Sequence, residues 1–165
     1  MNKICHFTSV HPIDDIRIFH KECVSLATNG YDVTLIACGE NAFEDVVEGV
    51  KRILLNVPVK NRLQRFFKRS KVIYKKAIEI NANIYHFHDP ELIPIGLILK
   101  KKGKKVIYDS HEDVPNQILA KEWLPSFIRK LVSFVYRKYE TMAVKKFDGL
   151  ITVTPTLTDR LKKIN

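Results

Sequence analysis

The chain reads as an α/β domain on a doubly wound parallel sheet with helices on both faces. Three observations predict it. Short apolar runs alternate with stretches of helical period along the whole length. The second run (Val33, Leu35, Ile36, Ala37) is nearly continuous, as a strand covered on both faces requires. Two clusters, His86-Phe87-His88-Asp89 and Asp109-Ser110-His111-Glu112, each stand where such a run ends. Ligands of an open parallel sheet bind beyond the carboxyl ends of its strands, so both clusters point to one rim.

The elements follow in order. Residues 2–8 form a first strand. Asp14 or Asp15 caps a helix reaching residue 29, with Ile16, Phe19, Cys23, Val24, Leu26 and Ala27 on its buried side. Gly30 then supplies the left-handed stop. Residues 31–37 are a second strand, and 53–57 a weaker third towards an edge. Helix 63–80 is two-faced: Leu63, Phe66, Phe67, Ser70, Ile73, Tyr74, Ala77 and Ile78 form a core stripe at helical spacing. Strands 84–88 and 105–109 flank a helix at 90–102, and a right-handed crossover lays them side by side or nearly so. In the helical region 123–146, Phe127, Ile128, Leu131, Val135, Tyr139 and Met142 make a core face, while Val132, Phe134 and Tyr136 spread beyond it. That excess suits either an internal helix or a face for a partner domain or a membrane. A strand at 149–154 and a helix at 156–164 close the order, with Thr154 as the cap and Pro155 at the first helical position.

At 165 residues and 45% hydrophobic content, the chain is long enough for a single domain with a full core. Cys5, Cys23 and Cys38 are odd in number and scattered, which argues against a disulfide framework and for a reducing compartment. No signal peptide is evident, and no run approaches the ~20 apolar residues that cross a bilayer. The expected location is cytoplasmic. The 28 basic residues outnumber the 18 acidic ones, for a net charge of +10, and this favours an anionic partner. Much of the excess lies on helix 63–80 and the turn before it: Lys60, Arg62, Arg65, Lys68, Arg69, Lys71, Lys75 and Lys76 precede the next acid, Glu79. Such a face is either merely solvated or suited to acidic lipid, where each basic residue near the surface contributes about 1 kcal/mol. With neither zinc-finger spacing nor aromatic-basic alternation, nucleic acid is not expected as a partner.

The first turn, from Phe7 to Asp15, contains no glycine, and neither G-x-G-x-x-G nor a P-loop occurs anywhere. These absences count against a dinucleotide-dependent dehydrogenase and an ATPase. The turn instead offers His11, Asp14, Asp15 and Arg17 to the rim. His86 and His88 share a strand face, and Asp89 before Pro90 reads as a helix cap. With Asp109, His111 and Glu112 nearby, the rim can do acid–base chemistry, bind sugar hydroxyls or bind a metal. The third reading lacks a clear complementary ligand set, so neither metal nor cofactor is assigned.

Asp14-Asp15-Ile16-Arg17-Ile18-Phe19, Gly30-Tyr31-Asp32-Val33, His86-Phe87-His88-Asp89-Pro90-Glu91-Leu92, Tyr108-Asp109-Ser110-His111-Glu112 and Phe147 to Thr154, in this order, resemble the amino-terminal half of bacterial family-4 (group 1) glycosyltransferases. The resemblance implies a Rossmann-like acceptor-side domain over residues 1–165, one half of a GT-B fold whose nucleotide-sugar-binding domain is not in this chain. It also implies retaining transfer without a catalytic metal. A histidine of the H-x-H-D segment commonly lies against the transferred sugar in this family, which puts that role on His88, with His86 second. The segment holding Asp14, Asp15 and Arg17 lies where the family's first loop approaches donor phosphates and acceptor. Many relatives carry glycines there and this chain has none. Glu40 and Glu48 match the spacing of the family's donor-side acidic pair but fall in the wrong half, so their spacing is coincidental.

The expected function is the acceptor-binding half of a glycosyltransferase for surface polysaccharide such as capsule, inactive as an isolated piece. It would take a nucleotide-diphosphate-sugar donor and a glycan or lipid-linked acceptor. His88, His86 and His111 are the candidate catalytic residues. Asp14, Asp15, Arg17, Asp89, Asp109 and Glu112 are the candidate substrate-binding residues. Arg62, Arg65, Lys68, Arg69, Lys75 and Lys76 would hold the domain peripherally on an acidic inner membrane surface. The alternatives are a non-catalytic module for an anionic glycan or lipid, and a metallohydrolase using His86, His88 and His111.

Overall fold

In the computed structural model, which describes residues 2–162 (backbone only at Arg62), the apolar runs pair into one seven-stranded sheet. The strands are β1 (Lys3–Phe7), β2 (Asp32–Gly39), β3 (Phe43–Val47), β4 (Val50–Asn56), β5 (Ile84–Phe87), β6 (Lys105–Ser110) and β7 (Gly149–Thr152), in the spatial order β3-β4-β2-β1-β5-β6-β7. All neighbours are parallel except β3 and β4. The strand order reverses at β1, whose neighbours are β2 and β5, which is where such sheets open a crevice.

The antiparallel edge strand β3 was not foreseen. Glu48 and Gly49, with φ of 50° and 77°, form a two-residue turn that closes the hairpin at the Val47–Val50 pair. The predicted third strand therefore starts three residues early, at Val50, and lies inside the edge rather than on it. Phe43 and Val46 are exposed, so β3 lacks the apolar run that marks a buried strand.

Among the described residues five helices lie between strands and a sixth follows β7: α1 (16–28), α2 (62–80), α3 (Ile93–Lys101, entered through the tight turn Pro90–Leu92), α4 (Val114–Leu119), α5 (Ser126–Val144) and α6 (Pro155–Lys162). The predicted end of the last helix at Lys163 and Ile164 lies outside the described residues. Asp15 caps α1 by accepting from the backbone N–H groups of Arg17 and Ile18, both at 2.9 Å. Gly30 ends the helical stretch with φ +83°. Thr154 caps α6 through the Leu157 N–H at 3.3 Å.

One sheet face carries α2, α3 and α5, whose Ile73, Ala77, Ile93, Leu99, Ala143 and Val144 share a core with Phe7, Phe87 and Tyr108. The Phe87 ring lies between those of Phe7 and Tyr108, at centroid distances of 5.8 and 4.8 Å. The other face carries α1, where Ile18, Phe19 and Cys23 pack on Val33, Leu35 and Val50. Beside α1 that face stays open as a groove of about 400 Å³, floored by Ile4, Ile84, Ile107 and Ile151.

Three predicted apolar faces are revised. Ile16 is 70% exposed, because it precedes the first turn that packs on the sheet. Leu63 and Phe67 are exposed, since only the later part of α2 reaches the core, through Ile73 and Ala77. On α5, Phe127, Leu131, Val135 and Met142 point to solvent, while Ser133, Glu140, Ala143 and Val144 face inwards. The reversal has a polar cause. Ser133 Oγ donates to the Pro115 carbonyl of α4 at 2.8 Å, and Arg160 of α6 donates to Glu140 at 2.7 Å.

Candidate active site at the sheet rim

His6 pairs with His86 across β1 and β5, and His86 with Ile107 across β5 and β6. Side chains two residues apart share a face, so His6, His86 and Asp109 all point to the α1 side of the sheet. His88 follows the end of β5. Its ring stacks 4.6 Å from that of His86, and its Nε2 lies 3.3 Å from His6 Nδ1.

α1 delivers two further groups. Arg17 donates twice to Asp109, at 3.0 and 2.8 Å, and its Nε donates to Glu22 at 3.1 Å. An ordinary α-helix would not put residues five apart in line. Residues Ile16–Cys23 form a π-helix, whose i→i+5 repeat does. Glu22 Oε2 then sits 3.9 Å from His6 Nδ1, 4.0 Å from His86 Nε2 and 3.8 Å from His88 Nε2. Asp109 also approaches His88 Nδ1 at 3.5 Å and His111 Nε2 at 3.2 Å.

The protonation states follow from burial and these neighbours. Burial, with the neighbouring rings, lowers the pKa of His6 and takes that of His86 to about 3. Burial also lowers His88, against the pull of Asp109. For Asp109, burial disfavours ionisation, but hydrogen bonds and charge from His111 and His88 prevail and hold it below the usual carboxylate range. The hydrogen bond to Asp109 raises His111. Burial and the Asp109 charge push Glu22 up to about 7, in spite of Arg17.

Asp89 does not cap the following helix. Its buried carboxylate accepts from Thr8 Oγ1 at 2.7 Å, from the Ser9 N–H at 2.6 Å and from Ser9 Oγ at 3.2 Å, tying the first loop to the end of β5. A cleft of about 330 Å³ opens above it, bordered by His11, Arg65, His88, Asp89, His111 and Glu112. His88 is 1% exposed and forms the wall, whereas the side chains of His111 and His11 keep 16% and 28% of their surface.

The structure thus gathers His86, His88, His111, Arg17, Asp89 and Asp109 at one end of the sheet, with Glu112 on the cleft border. Asp15 is a helix cap, and its carboxylate also lies 3.5 Å from His11. Asp14 is exposed, without a hydrogen bond or ion pair among the described residues. His86, His88 and His111 do not form one ligand set. Donor atoms cluster within 4.8 Å as His6–Glu22–His86–His88 and as His88–Asp109–His111. The basic face of α2 is also partly spent. Arg65 pairs with Glu91 at 3.0 Å, Arg69 donates to the Ser9 carbonyl at 2.5 Å, and Lys76 pairs with Glu44 at 3.0 Å. Lys68 and Lys75 remain exposed, and the Arg62 side chain lies outside the described residues. His6 and Glu22 are absent from the sequence-derived set. The alternation that puts His6 on the face of Ile4 was the available signal for the first, and the π-helix hid the second.

Residues 18–165 match the profile of glycosyltransferase family 4. The chain belongs to this family. Among solved structures, this family-4 chain is similar to a sucrose-phosphate synthase from Thermosynechococcus elongatus at 12% identity and TM-score 0.69, with 99% of this chain and 45% of that one covered. It is similar also to a trehalose-6-phosphate structure from E. coli bound with UDP-2-fluoro glucose, at 9% identity and TM-score 0.62, covering 99% and 42%. At such identities the likeness shows the fold, a Rossmann-like half of the GT-B kind. The chain spans less than half the length of either structure. No curated protein matches it in sequence. Among the described residues no helix is long and apolar enough to cross a membrane.

Proposed function

We propose that residues 1–165 are the acceptor-side domain of a retaining glycosyltransferase, with the nucleotide-sugar held by a second domain outside this chain. The family match over residues 18–165, combined with a polar cleft beyond the ends of β5 and β6, carries this reading. The bound UDP-2-fluoro glucose in the E. coli structure supports a nucleotide-diphosphate-sugar as the donor class.

In the reaction an acceptor hydroxyl replaces the nucleoside diphosphate at the anomeric carbon. His111, partly exposed and held by Asp109, reaches the cleft and orients a sugar hydroxyl or takes part in moving the acceptor proton. Asp109 is itself fixed by the Arg17 fork. His88 walls the cleft against the transferred sugar, with His86 stacked behind it. Asp89 and Glu112 border the acceptor. Charge developing on the leaving diphosphate is met by the other domain.

The acceptor is a lipid-linked glycan in surface polysaccharide synthesis, and the domain works against an acidic membrane. Two exposed apolar patches beside exposed lysines support membrane contact: Leu63 and Phe67 with Lys68 and Lys71, and Phe127, Leu131 and Phe134 with Lys130 and Lys138. The test is transfer from labelled nucleotide-sugars to lipid extracts by the full product of the gene, with the 165-residue piece alongside. Transfer by the long form alone, reduced roughly 100-fold in kcat/KM by His111→Ala, is expected. A long form that binds and transfers no nucleotide-sugar would replace this reading with a non-catalytic glycan- or lipid-binding module.

A further inference from the structure

We infer that His6, Glu22, His86 and His88 form a divalent transition-metal site beneath the rim, of the kind zinc occupies. Four donor atoms converge from three elements: His6 Nδ1 from β1, Glu22 Oε2 from α1, and the Nε2 atoms of His86 and His88 from β5 and its end. His6 Nδ1 and His88 Nε2 are 3.3 Å apart, matching the edge of about 3.3 Å set by four-coordinate zinc with bonds near 2.0–2.1 Å. Glu22 Oε2 stands 3.8–4.0 Å from the three nitrogens, so closing the tetrahedron needs a shift of about half an ångström by one side chain.

Of the four donor atoms, His6 Nδ1 and His88 Nε2 have only each other as hydrogen-bond partner among the described residues, and the other two have none. Glu22 Oε2 and His86 Nε2 are buried and have no hydrogen-bond partner among the described residues, and neither has the second nitrogen of His6. The three histidines are 0–5% exposed. Leaving such groups unpaired costs about 1–3 kcal/mol each, and an ion would remove that cost for Glu22 Oε2 and His86 Nε2. The other oxygen of Glu22 is held by Arg17, which aims Oε2 at the three rings. His88 turns Nδ1 towards Asp109, whose carboxylate stands 3.5 Å away and without a hydrogen bond, so a small shift of the ring would give the carboxylate–histidine arrangement that orients metal-bound imidazoles. The open groove beside α1 is lined by His6, Glu22 and His86 and gives an ion a way in.

An ion here would not touch the acceptor. It would lock β1, α1 and β5 together and fix the ring of His88, and through it Asp109. The site stands whether or not the transferase reading holds.

The experiment titrates Co(II), then Zn(II), into chelator-stripped protein, with X-ray absorption on the zinc-loaded form. Expected are one ion per chain, the intense visible bands of four-coordinate cobalt, and a shell of three imidazoles and one carboxylate oxygen. Glu22→Gln should weaken binding more than roughly 100-fold and Asp109→Asn by roughly 10- to 100-fold, while His20→Gln, an exposed histidine, leaves it unchanged. No saturable binding at micromolar metal, a sulfur ligand, a six-coordinate shell, or unchanged affinity in a folded Glu22→Gln protein would overturn the site. If that variant fails to fold, the absorption spectrum of the wild type decides alone.

Discussion

Replacing Asp89 with alanine tests how the first loop is tied to the rim. Three donors meet one buried carboxylate oxygen, and their alternatives in its absence differ. Ser9 Oγ keeps a second acceptor, Glu91, at 2.5 Å. Among the described residues the Ser9 N–H and the Thr8 hydroxyl hydrogen have no other acceptor; Thr8 Oγ1 there otherwise receives only the N–H groups of Val10 and His11, at 3.3 and 3.0 Å. Two hydrogen bonds to a charged group are therefore lost outright, at about 1.5 kcal/mol each, or about 3 kcal/mol in all. For a domain of this length that is a fall in Tm of roughly 6–12 °C. Urea melts followed by far-UV circular dichroism measure it directly. Asp89→Asn, which keeps an acceptor but not the charge, should lose about half as much. A loss under about 0.5 kcal/mol for the alanine variant would mean that the loop is not held by this carboxylate, and the account of the rim would fail.

Gly96→Ala on α3 should destabilise by about 1–3 kcal/mol in the same melts, because the new Cβ would meet Phe87 at 2.7 Å and Phe147 at 3.0 Å in a packed core. Asp15→Ala should cost about 1 kcal/mol at pH 7 through loss of the α1 cap. That cost should fade in acid: burial opposes ionisation of Asp15, but the Ile18 and Arg17 N–H groups prevail and lower its pKa. The native state then binds fewer protons than the unfolded one, so the stabilisation is present above the unfolded value near ~4 and disappears as pH drops through the folded value. Melts of both proteins at neutral and strongly acid pH should show the two curves converging. Phe127→Glu with Leu131→Glu should abolish flotation with anionic vesicles and leave the melting curve within about 0.5 kcal/mol, since both side chains are more than half exposed. Unchanged flotation would remove α5 from the membrane proposal.

Element type, chain order and the location of the rim were legible from residues alone, because each depends on local period or on where a strand ends. β2, α3, β6 and the Asp15 and Thr154 caps fall where hydrophobic spacing and capping chemistry put them. The two histidine clusters meet because parallel neighbours bring their carboxyl ends to one side. Residue pattern alone left open which side of an amphipathic helix is buried when more than one side is apolar. On α5 that was decided by Ser133 and Glu140, each bonded to a neighbouring helix, and Phe127 and Leu131 turned outwards in consequence. On the rim, the partners of Asp89 lie some 80 residues away in sequence, so its reading as a local cap gave way to a long-range tie. The wide turn of α1 brought Glu22 into line with Arg17, and strand register set His6 against His86; neither can be read from spacing. The sequence by itself determined the family, the sheet and the end of the sheet where chemistry gathers, since these rest on periodicity and motif order. Tertiary structure alone decided which charges pair, which histidines are stripped of water and which apolar faces remain for something else, because burial and register belong to the assembled layers and to no single segment.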